Sequence, residues 1–162
     1  MNFFGSMPLP KKNFPTNTPI APPTQKADLA FGAKNQTEVL PLINEFFKDN
    51  AVEYEDEFST QDFYSEKAVY ELKSRNVKHD QYPTAIIGCN KCNLGEKDFE
   101  KDLFFIFKYT DGLFYIKYDN QVFANYKMRP FCRNTRSDYH DRTSMVWDIP
   151  YQNLKQITFS AF

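Results

Sequence analysis

Two aromatic-rich runs on either side of an Asp-Gly turn constrain the fold of this chain more than any other feature. Residues 103–109 and 113–118 consist of Phe, Tyr, Leu, Ile and Lys, with Thr110-Asp111-Gly112 between them. Asp-Gly between two such runs is the strongest short-range signal for a β-hairpin, because Gly readily adopts the backbone angles of a tight turn. The sequence therefore predicts an antiparallel pair of strands here.

Further elements are expected around this hairpin. An apolar stripe at helical spacing predicts a helix over 36–48, with Pro41 in its first turn, where a backbone N–H has no partner. Two strands, 58–64 and 68–75, are predicted to be joined by a turn at Ser65-Glu66. The combination indicates an α/β (α+β) fold. The other predicted elements are a helix within 84–101, a short strand over 145–149, and a turn or helix over 151–157.

The first part of the chain differs from the rest in composition. Residues 1–27 hold six prolines among Thr, Asn and Lys, at positions 8, 10, 15, 19, 22 and 23. Such a segment buries too little apolar surface to offset the entropy lost on ordering. We expect a Pro-rich flexible tail over 1–27 and one domain over 28–162. The alternative is a docking arm that anchors the protein in a larger assembly.

Bulk properties narrow the class of protein. A chain of 162 residues is long enough for one domain with a real core. Its net charge of −1 means that any nucleic-acid site must be a local basic patch. Three cysteines, no signal peptide and no apolar run of the roughly 18 residues that a membrane span needs favour a reducing, intracellular location without a membrane.

The segment 62–75 carries the residues with the clearest chemistry. In a strand over 68–75, Val69, Glu71 and Lys73 share one face. A short turn would place Asp62 opposite Val69, on the face of Glu71, at a diagonal of roughly 7–8 Å. Two carboxylates at that separation can share Mg²⁺, and Lys73 could reach a phosphate or an attacking water. The alternative is a solvated strand edge.

An Asp, a short turn and a Glu-X-Lys strand resemble the PD-(D/E)XK nuclease superfamily. The segments 73–76, 81–84 and 86–91 look like those of a small nuclease-like group encoded by large DNA viruses. The similarity spans about 31–157. Gln61 stands where the superfamily has a proline.

The resemblance implies a restriction-endonuclease-like core, with a central mixed sheet flanked by helices. It also implies a Mg²⁺- or Mn²⁺-dependent deoxyribonuclease: an endonuclease, exonuclease or resolvase-like enzyme. Asp62, Glu71 and the backbone carbonyl of Leu72 would hold the metal, and Lys73 would orient and help to deprotonate the attacking water. Glu38 would be a further metal or water ligand. Its alternative role is an ordinary helix glutamate that complements the helix dipole.

Nucleic-acid contacts are expected from basic residues in and beyond the site. Arg75 follows the Glu-X-Lys strand, and Lys91 lies on the predicted helix, where it is either a phosphate contact or an exposed lysine. A basic stretch with Tyr126, Phe131 and Tyr139 interleaved suits phosphate contact and base stacking, unless it is an ordinary polar loop. Its cations are Lys127, Arg129, Arg133, Arg136 and Arg142.

Two other readings compete with the nuclease. Cys89 and Cys92 form a Cys-X-X-Cys that Cys132 with His79 or His140 could complete as a zinc site, although buried free thiols are the simpler interpretation. Alternatively, a nuclease fold could serve without catalysis as a DNA-binding or virion structural component. The tail would then bind a virion, replication or repair partner. A viral protein of this kind would reside in the host cytoplasm or nucleus, or be packaged in the virion.

Overall fold

A computed structural model describes residues 24–56, 58–132 and 143–160. Helix α1 (Gln25–Phe47) precedes two short strands, β1 (Val52–Glu53) and β2 (Phe63–Tyr64), and the longer β3 (Ala68–Ser74). The later elements are β4 (Thr84–Gly88), β5 (Asp102–Tyr109), β6 (Gly112–Lys117), α2 (Asn120–Phe123), β7 (Lys127–Phe131), β8 (Ser144–Pro150) and β9 (Lys155–Ile157). The predicted mixed class of helices and strands is confirmed.

The strands form two sheets. Six of them lie in the order β1-β2-β3-β5-β6-β9, and the other three in the order β4-β8-β7. Among the described strands, only β3 and β5 pair in parallel, so the larger sheet is mixed, as expected. The β5–β6 hairpin is confirmed, and Gly112 at its turn has a φ of +149°, a conformation that side chains rarely adopt.

The larger sheet is covered on both faces. Val69 and Phe105 project to one side, where they pack with Ile87 and Ile149 of the smaller sheet. Their neighbours along the strands project to the other side and pack with α1; this second cluster includes Val39, Ile43, Tyr70 and Ile106. The connection from β3 to β5 runs through β4 and a 3₁₀ turn, Cys89–Cys92, and therefore crosses the face that carries Val69.

Helix α1 is longer than the predicted 36–48. It begins at Gln25 and is capped by Thr24, whose side chain accepts a hydrogen bond from the Ala27 N–H at 3.1 Å. Pro41 therefore lies in the helix interior rather than in the first turn. An interior proline costs a helix about 3 kcal/mol. Burial of Val39 and Ile43 on either side of Pro41, worth roughly 1.5–3 kcal/mol each, offsets that cost.

Two other local predictions were wrong. The expected helix within 84–101 is strand β4 followed by the 3₁₀ turn, because Ala85 and Ile87 are buried at a period of two and pair with β8. The expected pairing of Asp62 with Val69 also fails, since Tyr64 lies opposite Val69 and Phe63 opposite Tyr70. The turn between β2 and β3 is tight: the Ser65 N–H donates to the Ala68 carbonyl at 2.8 Å.

The remaining predictions fared as follows. The short strand over 145–149 is confirmed as β8, whereas 151–157 divides into a 3₁₀ turn, Tyr151–Asn153, and the edge strand β9. Residues 1–23 of the expected tail lie outside the described residues. Within the described part of the chain, no helix has the length and hydropathy needed to cross a membrane.

Candidate active site

Strand β3 carries two charged side chains into the face between the sheets. Glu71 is only 4% exposed, and its Oε1 lies 3.1 Å from the Lys73 ammonium. Residues two apart in a strand project to the same side, so both follow Val69 toward the smaller sheet. A buried carboxylate needs a compensating charge, and Lys73 provides one.

Two hydrogen bonds fix Asp62 against the same strand, and a third joins it to α1. Its backbone N–H donates to the Tyr70 carbonyl at 3.1 Å, and its Oδ2 accepts from the Leu72 N–H at 2.7 Å. Its Oδ1 accepts from the Gln36 side-chain amide at 2.5 Å. The Asp62 carboxylate is therefore held beside residues 70–72, and α1 contributes Gln36 to the site.

Asp62 and Glu71 interact unfavourably through their charges. Burial, and next the negative charge of Glu71, raise the pKa of Asp62 to about 6. The Leu72 N–H and the cations Lys91 and Lys73 act in the opposite direction. A divalent cation between the two carboxylates would remove their repulsion.

Lys91 enters the cluster from the 3₁₀ turn. Its ammonium lies 3.1 Å from Glu71 Oε1 and also donates to the Thr60 carbonyl. The backbone carbonyl of Lys91 accepts from the buried Gln61 side chain at 3.2 Å. The lysine that was expected on a helix therefore lies on a 3₁₀ turn, where it is a second cation beside the Glu71 carboxylate.

Two features of the cluster bear on its chemistry. Burial is the main cause that lowers the pKa of Lys73, partly opposed by the charge of Glu71. Glu71 Oε2 is buried and has no hydrogen-bond partner, although Oε1 contacts two ammonium groups. An orphaned buried carboxylate oxygen is costly in a folded protein, and a hard cation is the partner that suits it.

Glu38 is not brought to this cluster. Its carboxylate lies 2.7 Å from the Lys108 ammonium and 3.9 Å from that of Lys34. Two residues along a helix are about 200° apart, so Glu38 leaves α1 on the side away from Gln36. Gln36 was missed in the sequence, yet a signal existed: it continues the apolar stripe of Val39 and Ile43 at a spacing of three to four.

The expected DNA-contacting residues lie in several places. Arg75 extends the β3–β5 pairing, since its N–H donates to the Lys108 carbonyl at 2.8 Å, and its guanidinium donates to the Ser74 carbonyl at 2.9 Å. Arg129 forms an ion pair with Asp148 at 2.6 Å, whereas Lys127 is exposed. Arg133, Arg136 and Arg142, with His140, lie outside the described residues.

The described residues lend no support to a zinc site at the Cys-X-X-Cys. Cys89 and Cys92 are half-buried, and burial raises the pKa of Cys92 to about 12, which opposes the thiolate that zinc requires. Within the described ranges, three side chains of the His, Cys, Asp and Glu type come close enough to share a metal ion at His79, Asp80 and Asp111, away from both cysteines. His79 and Asp111 form an ion pair of 2.6 Å that joins the loop after β3 to the β5–β6 turn.

Comparison with known proteins agrees with the geometry. A family model described as "Phage putative PDDEXK endonuclease" matches residues 34–157. The chain belongs to this PDDEXK family. The match covers Gln36, Asp62, Glu71, Lys73 and Lys91, and it confirms the resemblance to PD-(D/E)XK nucleases, within a family named for phages. No curated protein and no solved structure matches the chain.

Asp62 is expected to contribute less to the stability of the metal-free PDDEXK protein as the pH rises from about 4 to about 6. The folded state holds a proton on Asp62 up to a pKa of about 6, whereas the unfolded chain releases it near 3.8. Between these values Asp62 binds more protons in the folded state than in the unfolded chain, so its contribution to the free energy of unfolding falls as the pH rises.

Melting temperatures in EDTA across this range test the expectation. Asp62→Asn removes the titrating group, so its melting temperature should rise relative to that of the wild type as the pH increases. Glu45→Gln, which neutralises an exposed helix carboxylate, should show no such relative rise. Parallel curves for the wild type and Asp62→Asn would show that Asp62 does not carry the effect.

Proposed function

We propose that this PDDEXK family member is a metal-dependent deoxyribonuclease that hydrolyses DNA phosphodiester bonds. The observation that carries the proposal is the partnerless, buried Oε2 of Glu71 beside the Asp62 carboxylate, with Lys73 on the same face. Carboxylates, a lysine and a divalent cation are the parts required for in-line attack of water on a phosphodiester.

The donor set fits a hard cation. The carboxylates of Asp62 and Glu71, with the backbone carbonyl of Leu72, would hold Mg²⁺ or Mn²⁺ through oxygen alone. The ion would supply Lewis acidity and lower the pKa of a bound water. Gln36 holds one Asp62 oxygen and the Leu72 N–H holds the other, so the carboxylate is oriented before any ligand arrives.

Lys73 is suited to act on the attacking water. Burial lowers the pKa of its ammonium, which makes the neutral amine more accessible as a proton acceptor. In its charged form it stabilises the negative charge that develops on the phosphoryl oxygens. Lys91, whose ammonium also lies 3.1 Å from Glu71 Oε1, would contact a phosphate of the scissile strand once a cation neutralises that carboxylate.

A cleavage screen tests the nuclease directly. Duplex, flapped, branched and single-stranded DNA are incubated with the purified protein in Mg²⁺ or Mn²⁺, with EDTA as the metal-free control and Glu71→Gln as the matched variant. We expect the wild type to cut at least one topology when Mg²⁺ or Mn²⁺ is present and none in EDTA. Absence of cutting on every topology would favour the non-enzymatic role in DNA binding or virion assembly.

Substrate affinity is expected to depend on the basic stretch rather than on the carboxylates. Replacing Arg133 and Arg136 by Ala should weaken DNA binding and reduce the slope of log K against log salt by about one unit per lost phosphate contact. Lys97→Ala, an exposed cation outside the stretch, is the control. Binding isotherms at several salt concentrations measure the slope. An unchanged slope in the double variant would show that the bound DNA does not contact Arg133 and Arg136.

A further inference from the structure

An open groove lies where β3 ends, between the loop that follows it and strand β7. Its volume is about 560 Å³, and its lining includes Arg75, Tyr82, Tyr109, Arg129 and Phe131. Pockets of roughly 300–1,000 Å³ are the size that encloses small organic ligands. The groove therefore has room for a nucleotide.

The groove offers aromatic surface that the core does not use. Tyr82, in the segment 81–84 that resembles the nuclease-like group, is 59% exposed. Phe131 is half-buried on the β7 side, and the guanidinium of Arg129 lies 5.5 Å from its ring centre. Buried Phe107 and Tyr109 form part of the lining beneath them. Exposed rings of this kind stack nucleobases in proteins that bind single-stranded nucleic acid.

The charge of the groove suits a phosphodiester strand. Arg75 and Arg129 contribute to its lining, and none of the described lining residues is acidic, although Arg129 is paired with Asp148 at 2.6 Å. A second cavity, of about 340 Å³ beside α1, also adjoins the site, but Glu53, Asp56 and Asp62 line it. Because phosphates are repelled by carboxylates, a DNA strand that leaves the Glu71–Lys73 region is directed toward Arg75.

The groove is continuous with the candidate active site. Arg75 follows Lys73 by two residues and extends the same strand, so their backbones are about 7 Å apart. A DNA strand with one phosphate at Lys73 would therefore place a neighbouring nucleotide in the groove.

We propose that this groove binds an unpaired nucleobase next to the scissile phosphate, stacked on Tyr82 and Phe131 with its phosphate at Arg75. The proposal rests on the proposed function in taking DNA as the ligand, and it specifies the substrate class. A base in a duplex must first be unstacked and unpaired, at a cost of a few kcal/mol, whereas an unpaired base is available without that cost. Single-stranded, flapped or branched DNA is thus preferred over continuous duplex.

Binding of oligonucleotides that contain 2-aminopurine tests the groove without cleavage. In Ca²⁺, the wild type should bind single-stranded DNA more tightly than duplex and quench the fluorescence of the unpaired base. Tyr82→Ala should lose the quenching and roughly 5- to 150-fold of single-strand affinity, the worth of one stacked base. Tyr82→Phe keeps the ring and should retain both properties. Phe99→Ala, which removes a 69% exposed ring outside the groove, should match the wild type.

The outcomes distinguish failure of the groove proposal from failure of the nuclease proposal. Three results would each overturn the groove proposal. The first is that Tyr82→Ala binds and quenches like the wild type, and the second is that the wild type has equal affinity for duplex and single strand. The third is that the wild type binds no DNA at all. The first two results would be compatible with cutting in Mg²⁺ and would leave the nuclease proposal intact. Conversely, loss of quenching in Tyr82→Ala, combined with no cutting by the wild type on any topology, would support the groove and reject the nuclease.

Discussion

Glu71→Gln and Asp62→Asn are each expected to reduce Mg²⁺-dependent DNA cleavage below detection while the protein remains folded. Each change removes one negative charge from the proposed metal ligands and preserves the size of the side chain. Hard cations bind carboxylates far better than amides in a site of few ligands, so metal and activity should be lost together. Cleavage of one labelled substrate in Mg²⁺, with circular dichroism of each variant, measures the two effects.

The two variants should differ in stability. Asp62→Asn removes the repulsion from Glu71, and the Gln36 amide can rotate to present its oxygen to the new amide group, so the melting temperature in EDTA should be unchanged or higher near pH 7. Glu71→Gln leaves the ammonium groups of Lys73 and Lys91 without their shared anion, so its melting temperature should fall.

An exposed carboxylate on α1 provides the control for both variants. Glu45→Gln changes the same chemical group at the surface and should cut DNA as fast as the wild type. Glu38→Gln is informative because the ion pair with Lys108 keeps this residue away from Asp62, so we expect activity to be retained. Wild-type cleavage by Asp62→Asn or Glu71→Gln in Mg²⁺ alone would refute the metal assignment.

Local signals in the sequence predicted the elements that local chemistry determines. The β5–β6 hairpin follows from Asp111-Gly112, and the turn before β3 follows from Ser65, whose hydroxyl accepts from the Ala68 N–H at 3.1 Å. Each involves residues a few positions apart. The mixed fold class followed in turn, because a helical stripe and several strands leave few alternatives.

Contacts between distant segments were not predictable in the same way. Lys91 reaches Glu71 because the connection from β3 to β5 must cross one face of the sheet to join two parallel strands. No local pattern in the sequence around Lys91 indicates which way this connection runs. Gln36 reaches Asp62 for a similar reason, across 26 positions of sequence. The start of α1 was missed because the prediction followed the apolar stripe, whereas the described side chains of 26–34 are mostly exposed and do not continue it.

Lys73→Ala is expected to reduce the cleavage rate by on the order of 10²- to 10⁴-fold, the usual loss when a positioned proton-transfer or electrostatic group is removed. Lys73 leaves β3 on the face of Glu71, and its ammonium lies 3.1 Å from Glu71 Oε1. At that position its proposed role is to hold the attacking water and to stabilise charge on the phosphoryl oxygens. The DNA affinity of Lys73→Ala should fall by no more than the loss of one phosphate contact causes.

Binding and cutting are measured separately on one labelled substrate, the first in Ca²⁺ and the second in Mg²⁺. Lys73→Gln should retain part of the activity, because its amide can still hydrogen-bond the water. Lys67→Ala, which removes an exposed lysine at the other end of the same hairpin, should behave as the wild type. Because Lys73 also neutralises buried Glu71, melting temperatures of both Lys73 variants must show that they are folded at the assay temperature. Equal cutting by wild type and Lys73→Ala would overturn the mechanism, whereas a selective loss of cutting with binding intact assigns Lys73 to the chemical step.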